Sequence, residues 1–241
     1  MIHIENAVCR AGQKTLLDVE SLHIQSGEHV AVLGKNGAGK STLLKLLTGF
    51  ISPQTGRVLV NNQPVYPHPG ERKLRQVRSQ TGQVFQGLHL VGRLTVLENV
   101  LIGGLAAMPR LSSWARLFTP IETQKAMDAL HTVGMAGFSG VRADKLSGGE
   151  RQKVAVARML MQQPSLILAD EPTAALDPTA ARDTCELLRR VSHQRTLISV
   201  LHNEALVPML ADRVIGLKAG KIVLDCPVDD QLEQRLSALY D

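Results

Sequence analysis

The sequence predicts an α/β protein with a mostly parallel sheet, antiparallel strands at its N-terminal end and a block of helices inserted in the middle. Three observations predict it. Short apolar runs alternate with helical patterns near both ends of the chain, a glycine-rich turn joins the third run to a helix, and residues 87–158 switch to helical periodicity. With 241 residues, 44% of them hydrophobic and 20% charged, the chain matches one large globular domain and excludes a long disordered tract.

The strand-like runs are Ile2 to Val8, Val19 to Ile24, His29 to Gly34, Arg57 to Val60, Ser165 to Asp170, Thr196 to His202, Arg213 to Leu217 and Lys221 to Leu224, separated by turns rich in Gly, Ser and Pro. Helices are expected from Lys40 and over Ala180 to Ser192, and Thr95 and Ser147 stand as N-caps within the helical block. The resulting organisation is a core of residues 1–86 and 159–241 split by a helical subdomain of residues 87–158. No internal repeat or Gly/Ser-rich linker interrupts it.

The opening MIHIENAVCR lacks the basic and apolar regions of a secretory leader, so a cytoplasmic location is expected. The longest candidate membrane segment, Val100 to Met108, falls well short of the ~20 residues a spanning helix needs. Cys9, Cys185 and Cys226 show no metal-ligand spacing and read as reduced thiols. A net charge of +5 is too small an excess to indicate nucleic acid as a partner.

Gly34-Lys35-Asn36-Gly37-Ala38-Gly39-Lys40-Ser41-Thr42 fits G-x-x-x-x-G-K-[ST], and it stands between an apolar strand and a helix, where a phosphate-binding loop must lie. Glycines allow successive backbone N–H groups to converge on phosphate oxygens, and the helix N-terminus adds a favourable dipole. Lys40 is expected to neutralise the β- and γ-phosphates of ATP, and Ser41, with Thr42 beside it, to offer a hydroxyl to Mg²⁺. The core is therefore expected to be a P-loop NTPase.

Leu166 to Glu171 is an apolar strand ending in two carboxylates, a position from which charge reaches a metal–phosphate site. Asp170 is expected in the metal's coordination shell and Glu171 as the general base for the attacking water. Ser147-Gly148-Gly149-Glu150 reads as a capping box, and its two glycines leave a helix N-terminus bare enough to meet a second phosphate.

Leu146-Ser147-Gly148-Gly149-Glu150 also resembles the signature motif of ABC ATPases, in which two subunits sandwich two ATP molecules head to tail. The resemblance implies that Ser147 to Glu150 serve ATP held by Lys40 of a second copy. Gln86 resembles the Q-loop glutamine that reaches Mg²⁺ and the attacking water, and Ala175-Leu176-Asp177 is similar to the D-loop at the dimer interface. His202 resembles the switch histidine that contacts the γ-phosphate. The motifs run in family order along essentially the whole chain, which is identified on them as a member of that family.

Val84 to Gly103, Trp114 to Phe118 and Ser165 to Pro172 are similar to the ATPases of bacterial phosphonate and phosphite importers. The resemblance implies a peripheral protein of the cytoplasmic face of the inner membrane, working with two permease subunits and, indirectly, a periplasmic substrate-binding protein. Leu94 to Val100 is shared with polar amino acid importers, and Gly87-Leu88-His89 departs from the Gln-Phe-Asn often found after the Q-loop. Accessory ATPases of carbon–phosphorus lyase and soluble ABC ATPases of DNA repair or translation use the same motifs.

A second departure is Ala11, where the family commonly has an aromatic residue stacked on adenine; Arg10 beside it could stack its guanidinium instead. Nucleotide affinity or base selectivity is expected to be weaker than is usual in the family. Ala11→Tyr should tighten ATP binding in a nucleotide titration, and unchanged ATP and GTP affinities would contradict this reading.

Overall fold

The structure, a computed structural model, describes residues 1–105 and 118–240. Its strands are β1 (Ile2–Ala11), β2 (Lys14–Ile24), β3 (His29–Leu33), β4 (Thr55–Val60), β5 (Gln63–Tyr66), β6 (Thr81–Val84), β7 (Leu166–Asp170), β8 (Thr196–Val200), β9 (Arg213–Lys218) and β10 (Lys221–Pro227). They form one sheet in the order β5-β4-β1-β2-β10-β9-β3-β8-β7-β6. From β9 to β6 all neighbours are parallel. β1, β2, β4 and β5 pair antiparallel, and β10 joins the two halves. This is the α/β arrangement the sequence predicts.

β3 and β7 are covered on both faces, which is why they read as nearly unbroken apolar runs. In β3 the side chains alternate between two cores. Val30 and Val32 join Leu43, Leu46 and Leu47 of α1 (Lys40–Leu47) on one face. Ala31 and Leu33 join the other face, beneath α5 (Gly148–Leu160) and α6 (Pro178–Val191), the helices of the described residues being numbered in chain order.

That second core continues without a break into the helical block. Val96 and Val100 of α3 (Val96–Ile102), Ala126 and Leu130 of α4 (Pro120–Thr132), and Val154 and Ala157 of α5 all belong to it. Each of the three helices opens with a reciprocal capping box: Thr95 with Glu98, Thr119 with Glu122 and Ser147 with Glu150. The Ser/Thr oxygen accepts from the backbone N–H three residues on and the glutamate accepts from the cap residue, so two orphan donors are satisfied at each helix start.

Five elements go beyond the sequence reading. β5 contains Pro64, which an edge strand tolerates. β6 is only four residues long. α2 (Glu71–Ser79) buries just Leu74 and Val77, too thin an apolar stripe to read as periodicity. α8 (Leu232–Tyr240) packs Leu232, Leu236 and Leu239 onto the core, and the short α7 (Val207–Leu210) precedes β9. β8 stops at Val200, two residues before the predicted end, so that His202 lies beyond the ladder and exposed. Of the stretch Trp114 to Phe118, only Phe118 is among the described residues.

Candidate active site

Four adjacent parallel strands, β3, β8, β7 and β6, end on the same edge of the sheet, and the chain leaving each tip carries a candidate residue. Open α/β sheets expose ligands at this edge. After β3, Gly34 passes so close to β9 that a Cβ would lie 2.2 Å from the Leu217 carbonyl oxygen, and at Gly39 it would lie 2.8 Å from that of Leu16. Only glycine fits either place, and both have positive φ. Lys35, Asn36 and Gly37 form the exposed crest of the loop, and Ala38, Gly39 and Lys40 are buried.

Lys40 opens α1 with 6% exposure, and its Nζ donates to the carbonyls of Gly34 at 2.6 Å and Lys35 at 3.2 Å. Burial pulls its pKa down, and the carboxylates of Glu171 and Asp170 oppose that shift. The ammonium thus stands between its own loop and the acidic tip of β7. Ser41 and Asp170 line one cavity of about 160 Å³; Thr42 is half-buried beside it. Asp170's pKa is raised, first by burial and then by the adjacent Glu171, against the lowering fields of Lys40, Lys45 and His202.

Glu171 sits in the left-handed region at φ 49°, a conformation that turns its side chain off the end of β7. Its Oε2 accepts a hydrogen bond from Gln86 Nε2 at 2.8 Å, and its Oε1 lies 2.5 Å from His202 Nε2. The residues singled out at the tips of β6, β7 and β8 are therefore in direct contact. Two further residues position this cluster. Arg158 of α5 donates to the carbonyls of Leu88 and His89, both with positive φ, directly after Gln86. Fully buried Asn99 accepts from Val91 N–H and donates to the carbonyl of Val91 at 3.1 Å and that of Thr95 at 2.9 Å, pinning the following loop. Neither role could be read locally; an Asn among apolar residues on a capped helix was the one available signal.

Ser147 to Glu150 do not join the cluster. Their hydrogen bonds form the capping box, and the Ser147 N–H donated to Glu150 holds that carboxyl below the usual range. A Cβ on Gly148 would meet Leu176 at 3.8 Å, so the turn lies against the 175–177 segment. There Asp177 caps α6 by accepting from the N–H groups of Thr179 and Ala180, both at 3.0 Å. Glycines and a helix N-terminus consequently lie side by side with no partner from the chain's own phosphate loop among the described contacts.

The model of the ABC transporter family matches residues 17–174. The chain belongs to that family. This ABC ATPase is 41% identical over 243 residues, covering 100% of it and 90% of the relative, to a phosphonates import ATP-binding protein of Rhodopseudomonas palustris (strain BisA53). It is 44% identical over 223 residues, 90% of it and 78% of the relative, to one of Cupriavidus necator (strain H16). Its fold is similar to a nucleotide-free ATP-binding cassette from an ABC transporter, with TM-score 0.85 and 26% identity over 100% of this chain and 98% of that one. A dimeric cassette in a post-hydrolysis state, bound to ADP and Pi, matches with TM-score 0.78 and 28% identity over 95% and 99% of the two chains. The ABC ATPase is thus a nucleotide-binding, ATP-hydrolysing transporter subunit, and no helix among its described residues is long and apolar enough to cross a membrane.

The raised pKa of Asp170 makes a stability prediction. The unfolded chain loses this proton first, so as pH rises from the ordinary carboxylate range through the raised folded value, Asp170 costs the free protein stability. Asp170→Asn should melt higher than the parent at neutral pH, with the gain shrinking as pH falls below the ordinary carboxylate range. Thermal melts across pH showing no gain, or a pH-independent one, would contradict this.

Proposed function

We propose that the chain drives the import of phosphonates or phosphite, as a dimer peripheral to the cytoplasmic face of the inner membrane, through two permease subunits fed by a periplasmic binding protein. The observation that carries the substrate class is full-length similarity to phosphonate import ATPases, supported by the stretch Val84 to Gly103. Residues 87–158 act as a helical subdomain facing the permease, and residues 1–86 and 159–241 as the nucleotide-binding core.

In this reading the backbone of residues 34–39 and the ammonium of Lys40 hold the ATP phosphates, with Ser41 and Thr42 at the helix start. Lys40 exchanges its two carbonyl acceptors for phosphate oxygens, a stronger charge-assisted pairing. The residues present fit Mg²⁺. Asp170 is a carboxylate whose raised pKa reflects burial beside another anion, it shares a cavity with Ser41, and Gln86 supplies an amide oxygen. Held there by Ser41, Asp170 and Gln86, Mg²⁺ would offset the negative charge of the phosphates.

Glu171 takes a proton from the attacking water. Gln86 and His202, which hold its two oxygens, orient the carboxylate, and His202 turns to the γ-phosphate when nucleotide is present. Ser147, Gly148, Gly149 and Glu150 of one copy close over the phosphates held by the other copy's Lys40, with Asp177 at the seam. The separation of this turn from its own strand-tip cluster supports that composite arrangement.

The test is growth of a deletion strain on a phosphonate or phosphite as sole phosphorus source, complemented with the parent gene or with Glu171→Gln. The parent should restore growth and Glu171→Gln should not. Growth of the deletion strain on both compounds would reject the substrate class, and full complementation by Glu171→Gln would reject the role of Glu171.

A further inference from the structure

α2 carries an exposed basic face. Arg72, Lys73 and Arg75 are all exposed, opposite the buried Leu74 and Val77, and none has an ion pair among the described residues. The one carboxylate on the helix, Glu71, is directed elsewhere, 3.6 Å from His68 and 3.9 Å from Arg78. Arg78 in turn donates to the carbonyls of Thr48 and Gly49, both at 2.9 Å, fastening α2 to the end of α1. Its guanidinium stands 4.8 Å over the ring of Phe50, which is 61% exposed. The result is a helix with three unpaired cations whose fastening arginine, Arg78, stands over an exposed aromatic ring.

Helix energetics do not account for these cations. Arg72 and Lys73 occupy the first turn, where the helix dipole disfavours positive charge, and Gly70 offers no side-chain cap. A merely solvated helix face gains from acidic partners one turn away, and here the only candidate, Glu71, turns to Arg78 instead of Arg75. Phosphate-bearing headgroups complement such a face, and an exposed phenyl ring gains by burying its apolar surface at the headgroup–acyl boundary.

We propose that the exposed face of α2, with Phe50 beside Arg78, rests on anionic lipid headgroups and orients this ATPase against the membrane. The proposal rests on the reading of the chain as a peripheral subunit of a transporter. The surface is held to the phosphate-loop helix through Arg78, so lipid contact and the nucleotide site share one rigid support.

The experiment is co-sedimentation of the full chain with vesicles of phosphatidylcholine alone or mixed with phosphatidylglycerol, with ATP hydrolysis measured on the same samples. The parent should bind the mixed vesicles and not the neutral ones, and Arg72→Gln/Lys73→Gln/Arg75→Gln should weaken binding about a hundredfold. Lys125→Gln/Arg190→Gln/Lys218→Gln, which removes the same charge elsewhere, should bind like the parent, and hydrolysis should be equal in all three. Equal weakening in both variants, or no binding by the parent, would overturn the proposal. So would unaltered vesicle binding by the α2 variant with loss of assembly onto the permease, which would make the occupant an acidic protein segment. Absence of hydrolysis in the parent would instead count against the transporter-ATPase reading.

Discussion

The carboxylate of Glu171 is held by two groups that arrive from opposite directions along the chain, the Gln86 amide from 85 residues before it and the His202 imidazole from 31 residues after it. That contact exists because β6, β7 and β8 run parallel in register and end together. Gln83 stands opposite Leu168, and Ala169 opposite Ser199. A shift of one residue in either pairing would rotate a strand's side chains to the opposite face and carry its tip away from the cluster. The buried apolar faces of the sheet, which penalise such a slip, thereby fix the geometry of the polar edge.

The same edge concentrates conformations that a chain selected for stability alone would avoid. Glu171, Leu88 and His89 adopt positive φ, Lys40 is buried with carbonyls as its hydrogen-bond acceptors, and Asp170 lies in a partly buried position beside another carboxylate. Each is costly in isolation, and their concentration at one edge is what a functional site, not a stability optimum, would show. Arg158 extends this concentration into the helical block, since it clasps the loop after Gln86 from the helix that begins at Ser147. Two hydrogen bonds thus tie that helix to the loop that follows Gln86.

Much of this was legible in the residues themselves. The glycine-rich turn after β3 could be read because glycine is required where Gly34 and Gly39 pass backbone carbonyls, and the tip of β7 could be read because carboxylates end an otherwise apolar run. The capping boxes at Thr95 and Ser147 follow from local spacing. Gln86 and His202 carried no comparable local signal and were assigned by resemblance, since their contacts depend on strand order; Asp177 was also assigned by resemblance, although its capping bonds to Thr179 and Ala180 are local. α2 and β5 escaped notice because they bury too few apolar side chains to produce a period, and β6, though mostly buried, because Val84 is the one branched apolar side chain in its four residues.

The turn at Ser147 makes its hydrogen bonds within itself and stands outside the cluster around Glu171, so under the proposed function a working site needs two copies. The most direct measurement is ATP hydrolysis by Lys40→Ala chains, Ser147→Arg chains and an equimolar mixture. Each variant alone should be silent, and mixing should restore turnover, because a mixed dimer contains one site with an intact lysine loop and an intact serine–glycine turn. Full turnover by Ser147→Arg alone, independent of chain concentration, would contradict the account.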